Sequence, residues 1–367
     1  MPLFMGVYLI GEVTLDNARK AHLADLAVQE KYGVTYLQYW INKEAGIVFC
    51  LIKGPDKESC EASHREANGI KACRIIEVEG GMYDIFMGES HKIDQGLVRH
   101  EDGKIDTGYR FIFTLDMTAN TTRKDPIEFD QLKLPKKSKA AALRIIEEYE
   151  GKTIKTAGFD NIIAVFEFPE KVLRCAYEIQ KEFLNCQNNP NPEIDKVDFN
   201  MGIGVGQPLT QKEGFFEKAI QMSQRLCFIA DCNEIIIPKL FEELCDTNEI
   251  IKQQIHLQIL NYSEQDFMNN LLDIAENKFS EHGFGVDSLS RDLGISQPQL
   301  YRKVTAITGR SPVKFIRDIR LNKALSLLKE NKYNLSEVAL EVGYRSPSYF
   351  SKCFHEKFGI QPSKIII

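Results

Sequence analysis

Apolar and polar positions recur with two different periods along the first eighty residues, and this predicts a mixed domain of strands and helices. Segments 3–10, 34–41, 46–52 and 73–78 carry strand-like patterns, and segments 14–32 and 55–67 have helical spacing. The residues at 42–46 indicate a hairpin between the two middle strands. The order β-α-β-β-α-β is typical of a ferredoxin-like α+β sandwich. We therefore predict a ferredoxin-like domain over residues 1–80, followed by a polar connector over residues 81–108.

A second and larger α/β pattern covers residues 109–262. Strand patterns lie at 110–116, on both sides of Gly158, at 197–206, at 234–237 and, as a closing strand, at 252–260, and helical patterns lie at 137–149, 169–184 and 213–229. Strands and helices alternate in this block, which is typical of a layered α/β domain. The sequence therefore predicts a second domain that is larger than the first.

The last part of the chain contains the same sequence unit twice. One glycine lies at the centre of each copy, at Gly294 and Gly343, and a second glycine follows at Gly309 and Gly359. Each copy has the pattern of a short helix, a glycine turn and a second helix, which is typical of a helix-turn-helix. We expect positive φ at the central glycines, because glycine adopts it without steric cost. With a joining helix over 312–328, the sequence predicts an all-α tandem helix-turn-helix domain over residues 263–367.

The second helix of each unit presents polar side chains that suit recognition of double-stranded DNA. Ser296 and Ser346 precede these helices as N-caps, while Leu300 and Phe350 are spaced to pack inward. Gln and Arg can form bidentate hydrogen bonds with adenine and guanine edges, and Lys and Ser also bind phosphates. The residues expected to contact DNA are Gln297, Gln299, Arg302, Lys303, Arg345, Ser346, Ser348, Ser351 and Lys352. The two units are expected to enter successive major-groove segments about 34 Å apart; the alternative is a helical hairpin that binds protein.

Charge is distributed unevenly along the chain. Residues 302–367 contain 13 Lys and Arg against 5 Asp and Glu, although the whole chain has a net charge of −6. A basic end on an acidic body suits a module that meets phosphate groups. The apolar runs are too short to span a membrane. Nine cysteines without regular spacing predict reduced thiols in a cytoplasmic protein.

Residues 264–365 resemble the AraC family of transcription regulators. The segments Ile295-Ser-Gln-Pro-Gln-Leu-Tyr-Arg-Lys303 and Gly343-Tyr-Arg-Ser-Pro-Ser-Tyr-Phe-Ser-Lys-Cys-Phe354 match the two signature segments of that family. The resemblance implies sequence-specific promoter binding that is usually governed by an attached sensory domain.

The first domain carries candidate metal ligands. His22 and Asp25 are one helical turn apart and share a face, and His64 and Glu66 lie on the other predicted helix. Imidazole and carboxylate groups suit a divalent transition metal such as nickel, zinc or copper. The alternatives are a dimerisation platform or a small-molecule pocket on the open face of the sheet.

Segments 21–33, 48–52 and 63–69 also resemble a small nickel-binding family with a ferredoxin-like fold. The resemblance covers roughly residues 1–80 and implies a nickel cofactor. Members of that family commonly have histidine where this chain has Asn68, which removes one ligand candidate. Tyr39 and Cys50 lie on strands expected to face the helix that carries His64.

Segments 113–121, 155–166, 200–206, 219–226 and 233–237 of the middle domain resemble class III nucleotide cyclases, and the resemblance covers about residues 109–260. In that family two aspartates hold two metal ions, and an asparagine and an arginine stabilise the nucleotide. The corresponding residues here are Asp116, Asp160, Gln221 and Arg225. The family's tight Gly-Asp-Gly turn is replaced by Gly158-Phe-Asp-Asn161, and glutamine is one methylene longer than asparagine. Because a misplacement of about 1 Å can cost roughly 100-fold in rate, we expect no enzyme activity and a cyclase-like scaffold retained for dimerisation or ligand sensing.

These patterns together predict a cytoplasmic, one-component transcription regulator whose two-domain body controls its DNA-binding end. The expected partners are double-stranded DNA, a small effector and a second copy of the chain in a homodimer, with no membrane involved. The effector would be a divalent metal ion or a nucleotide. Two alternatives are a nucleotide cyclase fused to a DNA-binding domain and a metal-buffering protein.

Overall fold

The computed structural model describes residues 1–69, 71–88, 92–119, 135–154, 161–189, 194–209, 214–245 and 256–365. Two six-stranded sheets form the first two thirds of the chain, and helices form the rest. Within the described ranges, no helix is both long enough and apolar enough to cross a membrane.

The first sheet and its two helices form a ferredoxin-like domain. Its elements are β1 (Leu3–Leu9), α1 (Leu15–Val28), β2 (Thr35–Asn42), β3 (Ile47–Lys53), α2 (Lys57–Asn68) and β4 (Arg74–Val78). The strands lie in the order β4-β1-β3-β2, and all of these neighbours are antiparallel. This arrangement confirms the predicted ferredoxin-like fold.

The stretch predicted as a connector is structured and extends the first sheet. It contains α3 (Gly80–Met87), β5 (Lys92–Asp94) and β6 (Leu97–Arg99). The β5–β6 hairpin joins the sheet beside β2, where Tyr39 pairs with Leu97. Leu97 and Val98 are buried, but strands of three residues are too short to produce a readable period in the sequence.

The second sheet repeats the topology of the first and then extends it. Its elements are β7 (Arg110–Ala119), α4 (Lys136–Glu148), β8 (Lys152–Ile154), β9 (Ile162–Phe166), α5 (Pro169–Asn188), β10 (Val197–Gly206), α6 (Glu217–Ile229), β11 (Ile235–Pro238), α7 (Lys239–Leu244) and β12 (Leu257–Leu260). The strand order is β12-β11-β10-β7-β9-β8. Its β10-β7-β9-β8 part has the same arrangement as β4-β1-β3-β2, and β11 and β12 add parallel strands beside β10. The assignment of this domain to a degenerate cyclase stays a prediction.

One apolar core joins the two sheets. Met5 and Phe49 of the first sheet share it with Ile112 and Val165 of the second. The opposite face of the first sheet is covered by α1 and α2, and the opposite face of the second by α4 and α5. The two sheets therefore form a single layered body.

A buried ion pair reinforces the joint between the sheets. The Asp106 carboxylate accepts hydrogen bonds from Arg110 Nη1 at 3.0 Å and Nη2 at 2.8 Å. Trp40 Nε1 of the first sheet also donates to Asp106, at 3.0 Å. Both charged side chains are 1% exposed. Asp106, which belongs to the predicted connector, therefore binds a side chain from each of the two sheets.

The carboxyl-terminal third is entirely helical, as predicted. It contains α8 (Tyr262–Lys278), α9 (Val286–Asp292), α10 (Gln297–Thr308), α11 (Pro312–Glu330), α12 (Leu335–Glu341) and α13 (Pro347–Phe358). The core of the first helix-turn-helix includes Leu300 and Phe315 and continues into Leu226 of α6. The second helix-turn-helix has its own core around Phe350 and Phe354. The first unit therefore packs directly on the body.

Candidate nucleic-acid interface and sensory residues

The first reading helix, α10, is fixed by a reciprocal cap. Ser296 is its N-cap, and the Ser296 side chain accepts a hydrogen bond from the backbone N–H of Gln299. In return, Gln299 Oε1 accepts a hydrogen bond from the backbone N–H of Ser296 at 3.0 Å. Leu300 and Val304 are fully buried below it. Gly294 precedes the helix with a φ of 66°, which agrees with the positive φ expected from the sequence.

Of the four residues expected to contact DNA from the first unit, three have partners within the protein. Gln299 completes the cap, Gln297 Nε2 donates to Asp287, and Lys303 Nζ lies 4.7 Å from the ring centre of Phe267. Arg302 is exposed, and no hydrogen bond or ion pair engages it within the described part of the chain. Arg302 is therefore the residue of this helix best placed to reach a base edge.

Tyr301 is an outward-facing residue that is not among the predicted DNA contacts. It lies beside Arg302 on α10 and is 39% exposed. Tyr301 lies three residues before the buried Val304, and tyrosine counts as apolar. Residue type and spacing from Val304 therefore both suggest the inward face. Because an α-helix turns by about 100° per residue, Tyr301 points well away from the buried Leu300, and this angle indicates an exposed side chain.

The second reading helix, α13, repeats this arrangement with different side chains. Ser346 is its N-cap and accepts from Tyr349 N at 3.3 Å. Arg345 and Ser348 are exposed, and the Lys352 side chain is 72% exposed. Ser351 Oγ instead donates to the Pro347 carbonyl at 2.8 Å.

Arg302 and Lys352 occupy equivalent positions in the two units. Each lies six residues after its N-cap serine, and both point away from their helical cores. The helix that joins the units, α11, is anchored by Arg320, which donates to the carbonyls of Phe279 at 2.9 Å and Phe284 at 3.0 Å. The helices that carry Arg302 and Lys352 are thus joined by a helix, α11, that Arg320 anchors.

The candidate metal ligands of the first domain do not converge on one point. Asp25 and His64 are paired at 2.9 Å between Asp25 Oδ1 and His64 Nδ1, and Asn68 Nδ2 donates to the same oxygen at 2.8 Å. Burial raises the pKa of the Asp25 carboxyl, and the hydrogen bonds from His64 and Asn68 oppose that rise. Glu66 instead accepts hydrogen bonds from Lys31 and Tyr32, both at 2.5 Å.

His22 lies under the β5–β6 hairpin and takes no part in the Asp25–His64 pair. Its imidazole faces Gly96, where a side chain would collide with it, and its ring centre is 4.8 Å from that of Tyr39. Burial lowers the pKa of His22, and its Nδ1 has no hydrogen-bond partner among the residues that the structure describes. Among the described residues, no three His, Cys, Asp or Glu side chains lie close enough to share a metal ion. The arrangement therefore does not fit a nickel ion, which needs several donors at once.

Three of the four cyclase-type candidates of the middle domain lie among the described residues. Asp116 is exposed on β7, Gln221 is exposed on α6, and Asp160 lies outside the described residues. Arg225 is 10% exposed and pairs with Asp273 Oδ1 at 2.5 Å and with Glu276 Oε2 at 2.7 Å, both on α8. The arginine expected to face a nucleotide thus faces the helical domain.

Comparison with known proteins matches the two ends of the chain. A helix-turn-helix domain model matches residues 289–366, and a model described as nickel responsive protein SCO4226-like matches residues 4–78. The solved structure of SCO4226 from Streptomyces coelicolor A3(2) is 38% identical, with 21% of this chain and 94% of that chain covered at a TM-score of 0.20.

Two curated relatives each match part of the chain. Histidine kinase P4 of Formosa agariphila is 39% identical over 101 residues, which are 28% of this chain and 7% of the kinase. The HTH-type transcriptional regulator MtrA of Neisseria gonorrhoeae is 33% identical over 84 residues, which are 23% of this chain and 28% of MtrA. This chain spans less than a third of either relative. The comparisons confirm a helix-turn-helix domain at the carboxyl end and an SCO4226-like domain at the amino end.

Proposed function

We propose that this protein is a transcription regulator that reads double-stranded DNA with two helix-turn-helix units and is controlled by its two-domain body. The observation that carries this proposal is the equivalent placement of Arg302 and Lys352 on two capped helices joined by the braced helix α11. An arginine that is free to turn toward guanine can discriminate between base pairs. A lysine at the matching position adds attraction to phosphate without reading sequence.

Arg302→Ala is expected to relax base preference at one position of the preferred site. Loss of a bidentate contact costs about 1–3 kcal/mol in discrimination, so we expect roughly 10-fold weaker binding to the preferred duplex and little change for duplexes altered at that position. Fluorescence anisotropy with a panel of single-base variants measures this. Equal losses on all duplexes would contradict the assignment of Arg302 to a base edge.

Lys352→Ala is expected to weaken binding to all duplexes by a similar factor. A lost phosphate contact should reduce the slope of log affinity against log salt by about 1. Titrations at several salt concentrations measure the slope. Lys181→Ala is the matched control, since Lys181 lies on α5 and pairs with Glu178 within the body; its slope should equal that of the unmodified chain.

The body is proposed to act as a scaffold and sensor rather than as a cyclase. Engagement of Arg225 by Asp273 and Glu276 supports this, because that side chain is already neutralised by two carboxylates. The effector and the homodimer stay predictions from the sequence. Sedimentation of the purified chain at several concentrations tests the homodimer.

Nickel is expected to leave stability and DNA affinity unchanged. Asp25 and His64 form an ion pair with each other, Glu66 is paired with Lys31, and the His22 ring faces Gly96. A ligand at about 100 times its dissociation constant would stabilise the fold by about 2.7 kcal/mol, so tight binding would raise the melting temperature visibly. Thermal unfolding with and without nickel measures this. A nickel-dependent rise that Asp25→Ala abolishes would restore the metal-sensor hypothesis.

A further inference from the structure

Helix α6 belongs to the body by sequence but contacts the DNA-reading domain on its outer side. Leu226 and Ile229 of α6 share one apolar core with Leu271 of α8 and Leu300 of the first reading helix. Toward the body, α6 is pressed against β10, where a side-chain carbon on Gly204 would lie 2.5 Å from the Ala219 carbonyl oxygen. The helix therefore has no free space on either side, and it cannot shift without moving a neighbour.

Arg225 fixes α6 to the first helix of the DNA-reading domain. Its guanidinium bridges Asp273 and Glu276, which lie one turn apart on α8. The arginine is 10% exposed, whereas the carboxylates are 58% and 46% exposed. Because hydrogen bonds between ionised groups are roughly twice as strong as neutral ones and bridging adds geometric specificity, this contact sets the rotation of α8 relative to α6.

A second contact leads from the end of α6 to both reading units. Arg310, just after α10, donates to the Phe228 carbonyl at 2.6 Å and lies over the Phe228 and Phe315 rings. Its guanidinium also pairs with Asp318 of α11 at 3.4 Å. Asp318 in turn pairs with Lys357 of the second reading helix at 3.3 Å.

The electrostatics of this second contact indicate a partly desolvated cluster. Asp318 is 7% exposed and lies between two cations. Burial lowers the pKa of Arg310 and lowers the pKa of Lys357 to about 8, although the charge of Asp318 opposes both shifts. Changes at one member of such a cluster affect the others, since contacts in one network are not independent.

We propose that α6 is the coupling element of this regulator: through Arg225 and Phe228 it holds both reading helices in the arrangement that fits adjacent groove segments. This inference rests on the proposed DNA-reading function and names how the body controls it. A movement of the second sheet would displace α6 and, with it, the first reading unit. The Arg310–Asp318–Lys357 cluster would pass that displacement to the second unit. Packed interfaces of this kind switch between discrete arrangements rather than deform gradually.

The test compares DNA affinities of the full-length chain and of Arg225→Gln. The probes are the duplex preferred by the unmodified chain and a random duplex of equal length. We expect affinity for the preferred duplex to fall about 5-fold or more, because the loosened units must be ordered on binding, and affinity for random duplex to change less than about 2-fold. Arg225→Lys, which retains the charge, should recover part of the loss. Arg144→Gln is the matched control, since Arg144 also bridges two carboxylates, Glu148 and Glu182, but wholly within the body.

A second variant breaks the same contact from the other side and so controls for misfolding of the Arg225 variant. Asp273→Asn combined with Glu276→Gln changes two half-exposed side chains and should give the same loss as Arg225→Gln. Unchanged preference in these folded variants overturns the coupling role while leaving DNA reading intact. If the unmodified chain itself does not distinguish the two probes, then the proposed function fails instead, so the two failures are distinguishable.

Discussion

Asp106→Asn is expected to lower the free energy of unfolding by about 3–5 kcal/mol, the range for breaking one side of a buried ion pair. The substitution keeps the size of the side chain but removes its charge. Arg110 then remains charged and buried, held by backbone carbonyls such as that of Phe86 and by a neutral amide in place of the carboxylate. The Asp106–Arg110 pair joins the two sheets. Urea unfolding should therefore be less cooperative, and its midpoint should lie at a lower urea concentration.

The same carboxylate gives the stability a defined dependence on pH. Burial alone would raise the pKa of Asp106, but the charge of Arg110 and its hydrogen bonds prevail and lower that pKa to about 2. An aspartate in the unfolded chain titrates near pH 3.9. The contribution is therefore fully present above about pH 4 and is lost as the pH falls toward 2. Asp106→Asn should lack this part of the acid-induced loss.

Asp102→Asn is the matched control for that substitution. It is the same chemical change in the same loop, but Asp102 is exposed and pairs with Lys104 at the surface. We expect no measurable change in the unfolding midpoint, because exposed ion pairs contribute little. Equal midpoints for the Asp106 and Asp102 variants would contradict the structural role of the buried pair.

Gly343→Ala is expected to destabilise the second helix-turn-helix by about 3 kcal/mol, well beyond the cost of the same change at Gly294. Both glycines have positive φ, 82° at Gly343 and 66° at Gly294, which costs an alanine about 1–2 kcal/mol. At Gly343 a side-chain carbon would also lie 2.5 Å from the Phe279 carbonyl oxygen. That oxygen accepts a hydrogen bond from Arg320, so moving it disturbs the brace of α11.

Gly294 provides an internal comparison for this effect. Nothing lies within 4 Å of the position that an alanine side chain would occupy there. Gly294→Ala should therefore cost only the backbone term, about 1 kcal/mol. Chemical unfolding followed by circular dichroism measures both variants. Equal losses at the two glycines would mean that the close approach to Phe279 does not matter.

The sequence predicted local features better than contacts between domains. Strand β10 spans Val197–Gly206, as its pattern indicated, because alternation is a property of neighbouring residues. The two turn glycines likewise follow from their own repeated surroundings. Arg225 was placed correctly on a helix, but its partners Asp273 and Glu276 are distant in sequence. No local pattern specifies which helix a buried arginine will meet.

One structural role could have been predicted from the sequence, and another could not. Ser296 and Gln299 form the serine and glutamine of a capping box, a spacing that itself indicates a structural use for Gln299. The predicted DNA contact of Gln299 rested instead on its outward position on the helix and on the bidentate hydrogen bonds that glutamine can form with adenine. Asp106, in contrast, gave no such signal, since a lone aspartate in a polar stretch is usually exposed. Only the packing of the two sheets buries it.

The most direct test of the central claim is selection of preferred duplexes from a random library by the intact chain at moderate salt. Two helix-turn-helix units on one braced helix should enrich sites with two recognised segments whose centres are about 10 base pairs apart. Arg302→Ala should lose preference within one segment only. Failure of the intact chain to enrich any sequence over random duplex would contradict the account.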